Sequence, residues 1–269
     1  MEFLKLIYIF FVGSSIGSFI NVVLSRFPKG ESIISPRSFC PSCLKQIRLW
    51  DNIPTISWFV LRGRCRSCQA KISIRYVIVE FIFGFLFIIS YYSTPNIFFQ
   101  NPLAIHIVQT WLFISLLTTL LIFDLKYLWL PKSINYFGFI IGLLITIYYS
   151  YFYKNEIFAT HLFASLIGFS SLLTIYIFGK LIYKKEVIGL GDLKLISMLG
   201  IWLGTKGIIL VLYISFISAG LISIVLILSK KVKRDSKIAF GPYLIFASLL
   251  IWFAGPENLI ATYQRYLPF

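Results

Sequence analysis

Two aspartates stand at the edges of apolar stretches, Asp124 in LLIFDLKYLWLP and Asp192 in VIGLGDLKLI. Ionisable groups at membrane depth are costly and usually functional. Two carboxylates held close together cannot both ionise easily, so one of them keeps a proton. The ionised partner can activate a water while the protonated one donates to a scissile carbonyl. No covalent intermediate forms, and the pair titrates as a unit. This is the chemistry of an aspartyl hydrolase, and it requires the two residues to meet.

Each aspartate also has an ordinary role open to it. Asp124 can pair with Lys126 or cap the next helix, where Pro131 suits a first-turn position. Asp192 follows a Gly-rich turn and suits the cap of a helix beginning at Leu193. The glycines of Gly-Leu-Gly-Asp add a mobile backbone that can approach a substrate strand closely. A serine or cysteine nucleophile is the rival chemistry, and it needs a base. His106 and His161 are the only histidines. They fall near the starts of the third and fifth apolar segments, away from the aspartates, and read as interface or packing residues.

The four cysteines form a second constellation. Cys40 and Cys43 (CPSC) and Cys65 and Cys68 (CRSC) follow the pattern C-x2-C-x21-C-x2-C. Each pair can supply half of a tetrahedral thiolate site, although the spacer is slightly longer than the usual zinc-ribbon range. Arg37, Lys45, Arg64 and Arg66 favour thiolates. Three readings are open: a structural zinc knuckle, two disulfides, or redox-active free thiols. A reducing cytoplasmic setting argues against disulfides. Four protein ligands leave a metal no open position, which assigns it to folding rather than chemistry. A small loop needs such a staple.

These groups must be positioned by a membrane scaffold. The chain of 269 residues is 58% hydrophobic and 13% charged, with mean hydropathy +0.86. Soluble domains carry about 25% charged residues. The runs Asn135–Tyr153 and Gly207–Ser229 contain no charge, and about 20 apolar residues span a bilayer core of about 30 Å. The composition predicts an all-α polytopic membrane protein. A net charge of +15 would suggest nucleic acid in a soluble protein. Here it reads as loop charge that sets topology, with no nucleic-acid partner.

Eight apolar segments can be drawn: Leu4–Leu24, Tyr76–Tyr92, Leu103–Phe123, Ile134–Tyr153, Ala159–Ile182, Leu193–Leu203, Gly207–Ser229 and Phe240–Ala254. The first is too long for a signal sequence and lacks a clear cleavage site, so it reads as a retained span. The sixth is short and holds Gly200 and Gly204, which suits a tilted or protein-shielded helix. The predicted organisation is a first span over 1–24, a Cys-rich loop over 25–75 and a membrane peptidase domain over 76–269.

Charge orients this arrangement. Residues 25–75 carry a net +8, residues 230–237 a net +4 and residues 180–186 a net +2. The alternate loops are poor in charge, with none over 93–102 and only Lys154 and Glu156 over 154–158. With eight spans every basic loop faces one side, and positive-inside makes that side cytoplasmic. Asp124 ends the third segment and Asp192 begins the sixth, so both are predicted at the cytoplasmic membrane boundary.

Seven blocks, in order, then resemble the type IV prepilin peptidases, or leader peptidase/N-methyltransferases. They are GSFINVVLSRFP (Gly17–Pro28), CPSC, DNIPTISWFVLRGRCRSC (Asp51–Cys68), KISIRYVIVE (Lys71–Glu80), DLKYLWLP, GLGDLKLISMLGIWLG (Gly189–Gly204) and IAFGPYL (Ile238–Leu244). The resemblance implies a GxGD-type aspartyl protease of the bacterial inner membrane. Such an enzyme cuts the basic leader of prepilins and pseudopilins after a glycine, on the cytoplasmic side. It implies Asp124 and Asp192 as the catalytic pair. The cysteines match the zinc-type loop of members that also methylate the new N-terminus with S-adenosylmethionine. Asn21, Gly63 and Glu80 lie in matched blocks around the loop and are candidates for contact with the methyl donor. For Gly63 the plainer reading is a turn, and for Glu80 an ion pair with Arg75 or Lys71.

Two readings from other classes stand beside this one. An ion-coupled transporter would need charged groups deeper in the spans and an internal repeat. A metal-dependent scaffold would tolerate loss of either aspartate but depend on the cysteines.

Overall fold

The computed structural model describes residues 2–93, 103–153, 156–184, 188–230 and 239–266. Nine α-helices account for most of them: α1 (Glu2–Arg26), α2 (Ile56–Val60), α3 (Ile74–Ser93), α4 (Leu103–Tyr127), α5 (Lys132–Tyr153), α6 (Ile157–Tyr183), α7 (Leu190–Leu228), α8 (Gly241–Ala254) and α9 (Pro256–Tyr266). Among the described residues there is no strand, only two isolated bridges. The long helices are apolar around most of their circumference, as lipid contact requires. Punctuation ends them. Pro131 precedes α5, Pro242 sits in the first turn of α8, and Gly255 at φ 78° closes it.

The chain divides into two compact units. The first comprises Met1–Thr94 with Pro102–Ser115. Here α1 packs on α3 through small residues. A Cβ on Gly17 would lie 2.9 Å from the Glu80 Cα, so only glycine permits this approach. The Asn21 amide donates to the Tyr76 carbonyl at 2.9 Å and ties the two helices together. The start of α4 joins the unit where Trp111 stacks on Phe87 at 4.7 Å and donates to the Ser90 hydroxyl. Residues 27–73 form a loop domain with two 3-10 turns, α2 and the cysteine turns.

The second unit comprises the described residues from Leu116 onward. Its core is the first half of α7, where Leu195, Ile196, Met198 and Leu199 are fully buried. Helix α6 packs on it so closely that a Cβ on Gly200 would meet the Ser165 backbone at 2.5 Å. On the α5 side the Trp202 indole donates to the Gly138 carbonyl at 2.9 Å.

The 39 residues of α7 do not run straight. Gly204 has φ 69° and ψ −178°, outside any helical conformation. In a straight helix residues 192 and 216 would be about 36 Å apart. Yet the Phe240 ring lies 5.1 Å from that of Phe216 while its neighbour Gly241 lies against Asp192. The helix therefore folds back at Gly204, and its second arm returns to the level at which the first began. His161 of α6 fills the corner, with Nδ1 2.7 Å from the Ile201 carbonyl.

The eight drawn segments do not become eight long helices. Six helices among the described residues are long and apolar enough to cross a membrane, or up to seven if α8 and α9, bent by 86°, count as one span. The segments Leu193–Leu203 and Gly207–Ser229 are the two arms of α7. Helix α8 has 14 residues, about 21 Å, short of the hydrocarbon thickness of about 30 Å. Short segments survive at this depth because neighbouring helices cover them. Residues 231–238, and with them most of the basic 230–237 loop, lie outside the described residues. So do Lys154, Lys185, Glu186 and residues 94–102.

Candidate functional site

Asp124 occupies the last turn of α4 and is buried, 6% exposed. Its side chain does not pair with Lys126, whose ammonium lies over the Tyr127 ring at 4.8 Å. Asp192 is 7% exposed and sits in the first turn of α7. It is not the helix cap, a place taken by Gly189. Instead the Asp192 carboxylate reaches back to accept from the Gly189 amide at 3.3 Å, as the third residue of a capping box does. Lys194 lies over the Tyr136 ring at 5.6 Å.

The two carboxylates converge on Gly241, at the start of α8. A Cβ built there would run into Asp124 Oδ2 and lie 3.4 Å from Asp192 Oδ1. Three helix ends, from α4, α7 and α8, thus bring two acids to one glycine. The glycines of Gly-Leu-Gly-Asp permit close approach. Gly189 has ordinary extended backbone, and a Cβ on Gly191 would press on Leu130 at 3.0 Å. Among the described residues the buried Asn135 amide, in the first turn of α5, has no hydrogen-bond partner. Such orphaned groups are rare and costly.

In the first unit the four cysteines come together. Their sulfurs all lie within 4.8 Å of one another, and Cys40 Sγ is 3.8 Å from Cys68 Sγ. A tetrahedral ion with bonds of about 2.3 Å needs sulfurs about 3.8 Å apart. The four thiols are free, and that separation is too long for a disulfide. Two similar turns present them: the Cys40 amide donates to the Lys45 carbonyl and the Cys65 amide to the Ala70 carbonyl. Leu44 and Gln69 take matching positive φ values of 57° and 58°. The Cys43 amide is the main influence holding the Cys40 thiol down at about 6. The Ala70 amide favours the Cys68 thiolate, but burial and the other thiols outweigh it and push Cys68 up to about 11. A cation binding four such thiols would displace their protons.

Beside this cluster is a cavity of about 660 Å³. Asn21, Glu80, Trp58, Tyr76, Cys40 and Cys65 are on its wall. Glu80 does not pair with Arg75 or Lys71; its carboxylate accepts from the Thr55 amide at 2.7 Å. Gly63 is not on the wall. It has φ 65°, and a Cβ there would strike the Trp58 ring at 2.9 Å, so it makes the turn that seats Trp58. His106 and His161 are both buried. The sequence reading missed Thr55 and assigned no role to Gly241. The FGP block marks a helix start, but nothing local says that its glycine stands between two distant aspartates.

These features define a class: a multi-helix membrane protein with paired aspartates at helix ends and a four-cysteine loop. Residues 11–94 match the Bacterial Peptidase A24 N-terminal domain and residues 111–224 match the Type IV leader peptidase family. The prepilin leader peptidase/N-methyltransferase of Stutzerimonas stutzeri is 31% identical over 287 residues, covering 95% of this chain and 92% of that protein. The protein of the same name from Pseudomonas aeruginosa is 28% identical, covering 96% and 93%. A type 4 prepilin-like proteins leader peptide-processing enzyme of Escherichia coli is 34% identical, covering 71% and 74%. No solved structure matches the chain. The chain belongs to the type IV leader peptidase family.

Proposed function

We propose that this chain is an inner-membrane aspartyl endopeptidase that removes the leader of type IV prepilins or pseudopilins and then N-methylates the new terminus. The observation that carries the peptidase reading is the convergence of Asp124 and Asp192 on Gly241. The two carboxylates share one proton. One of them activates the attacking water, and the other donates to the carbonyl oxygen and then to the leaving amine. Both acids sit at helix ends, where a substrate changes from a polar leader to an apolar helix. The apolar part enters the bilayer, the basic leader stays in the cytoplasm, and the bond after the glycine reaches the dyad.

The domains divide the work. The loop over 25–75 carries the methyl-transfer region, and the later spans carry the peptidase. Zinc on Cys40, Cys43, Cys65 and Cys68 holds the loop folded, and the 3.8 Å separation of the Cys40 and Cys68 sulfurs supports the fit. The neighbouring cavity, at about 660 Å³, is of a size usual for small-molecule sites. Asn21 and Glu80 offer polar contacts there, and Trp58 and Tyr76 offer aromatic faces. S-adenosylmethionine would supply an electrophilic methyl group to the amine freed by cleavage.

The test is to incubate the purified protein with a prepilin-like substrate and S-adenosylmethionine and weigh the products. The expected products are the free leader and a mature chain heavier by one methyl group. An intact substrate contradicts the peptidase reading, and an unmethylated mature chain contradicts the transferase reading.

A further inference from the structure

Glu80 is 8% exposed and lines the cavity of the first unit. A carboxylate taken out of water needs a counter-charge, and the other carboxylates on this wall have one. Arg66 grips Asp51 through two nitrogens, at 2.7 Å and 2.9 Å, and Lys29 lies 4.0 Å from Glu31. Among the described residues no lysine or arginine pairs with Glu80. Its company is neutral: the Thr55 amide at 2.7 Å and the Ser18 hydroxyl.

Thr55 is itself held unusually. It is buried, and its backbone has φ 63° and ψ −55°. A β-branched residue rarely adopts such a conformation. Strain of this kind persists where the surroundings impose it and clusters at functional sites. Here it aims an amide at one oxygen of Glu80 and fixes the carboxylate in the wall. Glu80 lies in the second turn of α3, at the end joined to the loop, and Asn21 lies near the corresponding end of α1. A processed substrate whose apolar helix starts at its first residue presents its N-terminal ammonium at this depth.

We propose that Glu80 receives the N-terminal ammonium of the processed substrate and takes its proton for methyl transfer. This rests on the methylation reading above. The proton passes from nitrogen to the Glu80 carboxylate. The freed lone pair bonds to the methyl carbon of the sulfonium donor. The carbon–sulfur bond breaks with its electron pair left on sulfur, giving a neutral thioether. The product is a secondary ammonium, and Glu80 returns its proton to water. The charged groups facing it across the cavity are Arg26 from α1 and Lys29, Lys45, Arg48 and Lys71 from the loop, besides the paired Asp51–Arg66 and Glu31. Tyr76 faces it from its own helix, and the thiols of Cys40 and Cys65 lie on the same wall. An excess of lysine and arginine here would repel an ammonium anywhere but at a fixed carboxylate.

The experiment compares binding of a short peptide with the mature apolar N-terminus, free or N-acetylated, to zinc-loaded protein in detergent without a methyl donor. The wild type is expected to prefer the free amine about tenfold or more, as suits a charge-assisted contact. Glu80→Gln is expected to lose that preference. With donor added, its methyl transfer is expected to climb as pH passes the amine pKa of about 8, whereas the wild type works below it. Zinc content and thermal unfolding report the fold of the variant. Should Glu80→Gln fail to fold, Glu80→Asp keeps the charge but withdraws it, and the preference is expected to shrink. A free-amine preference undiminished in a folded variant overturns the proposal. So does equal binding of both peptides by a wild type that methylates. A wild type that transfers no methyl group contradicts the methylation reading itself, whatever the binding shows.

Discussion

Gly241 lies so close against Asp124 that the carboxylate occupies the space a Cβ would need. The second acid is 3.4 Å from the same point. Glycine is the smallest residue that can stand against both acids.

Gly241→Ala is therefore expected to push Asp124 out of place. A shift of about 1 Å in a catalytic group can lower the rate about 100-fold. The fall should appear in kcat of leader cleavage with KM little changed. Steady-state kinetics on a folded variant checks this, and a kcat within twofold of wild type speaks against a glycine-sized gap.

The fold-back at Gly204 makes a related prediction. Any side chain there must adopt φ 69°, and its Cβ would lie 3.0 Å from His161 Nε2. Gly204→Ala should destabilise the protein by about 1–2 kcal/mol. It should also reduce cleavage, because the second arm of α7 leads toward Gly241. Thermal unfolding and activity measured on one preparation should fall together.

Metal removal should act mainly on the loop. A structural zinc site contributes folding energy directly. Stripping the protein with a chelator, or Cys65→Ser, should expose residues 27–73 to limited proteolysis. Methyl transfer should fall far more than leader cleavage, since Asp124 and Asp192 belong to the other compact unit. Reduced protein carrying well under one zinc per chain would contradict the metal assignment.

The Asp51–Arg66 pair gives a pH dependence of known sign. The hydrogen bond from Arg66 is the main influence holding the Asp51 carboxyl below its usual value. The stability it confers is present above the unfolded pKa of about 3.9 and disappears as pH falls through the lower folded value. Asp51→Asn should lower the unfolding midpoint of the loop at pH 7, with a smaller effect near pH 3. Half of the Arg66 side chain is exposed, so the effect should be modest and weaken with salt. An equal shift at both pH values would place the contribution of Asp51 elsewhere.

Much of this molecule is legible in its sequence because membranes enforce simple patterns. Uninterrupted apolar runs mark the helices, and paired cysteines mark the loop. The approach of Asp124 to Asp192 is compatible with the loop charges, which predict both at one face. What stays hidden is tertiary. Gly204 suits a tilted or shielded helix in the sequence, but the fold-back there shows only when Phe216 and Asp192 are found beside consecutive residues at the start of α8. The short α8 reads as a span because hydropathy does not register protein neighbours. The plainer sequence reading of Glu80, beside contact with the methyl donor, is an ion pair with Arg75 or Lys71, whereas its anchor, the Thr55 amide, is distant in sequence and carries no local signal.

Joint action of Asp124 and Asp192 as one catalytic pair underlies the proposed peptidase activity. It is tested by purifying Asp124→Asn and Asp192→Asn separately and timing leader removal from a prepilin-like substrate. Each variant should fold, retain zinc and lose cleavage by at least about 100-fold, the scale of a general acid or base. Combining the two should add little further loss, because the pair acts as a unit. Cleavage at the wild-type rate by either folded variant would show that the two aspartates are not a catalytic pair.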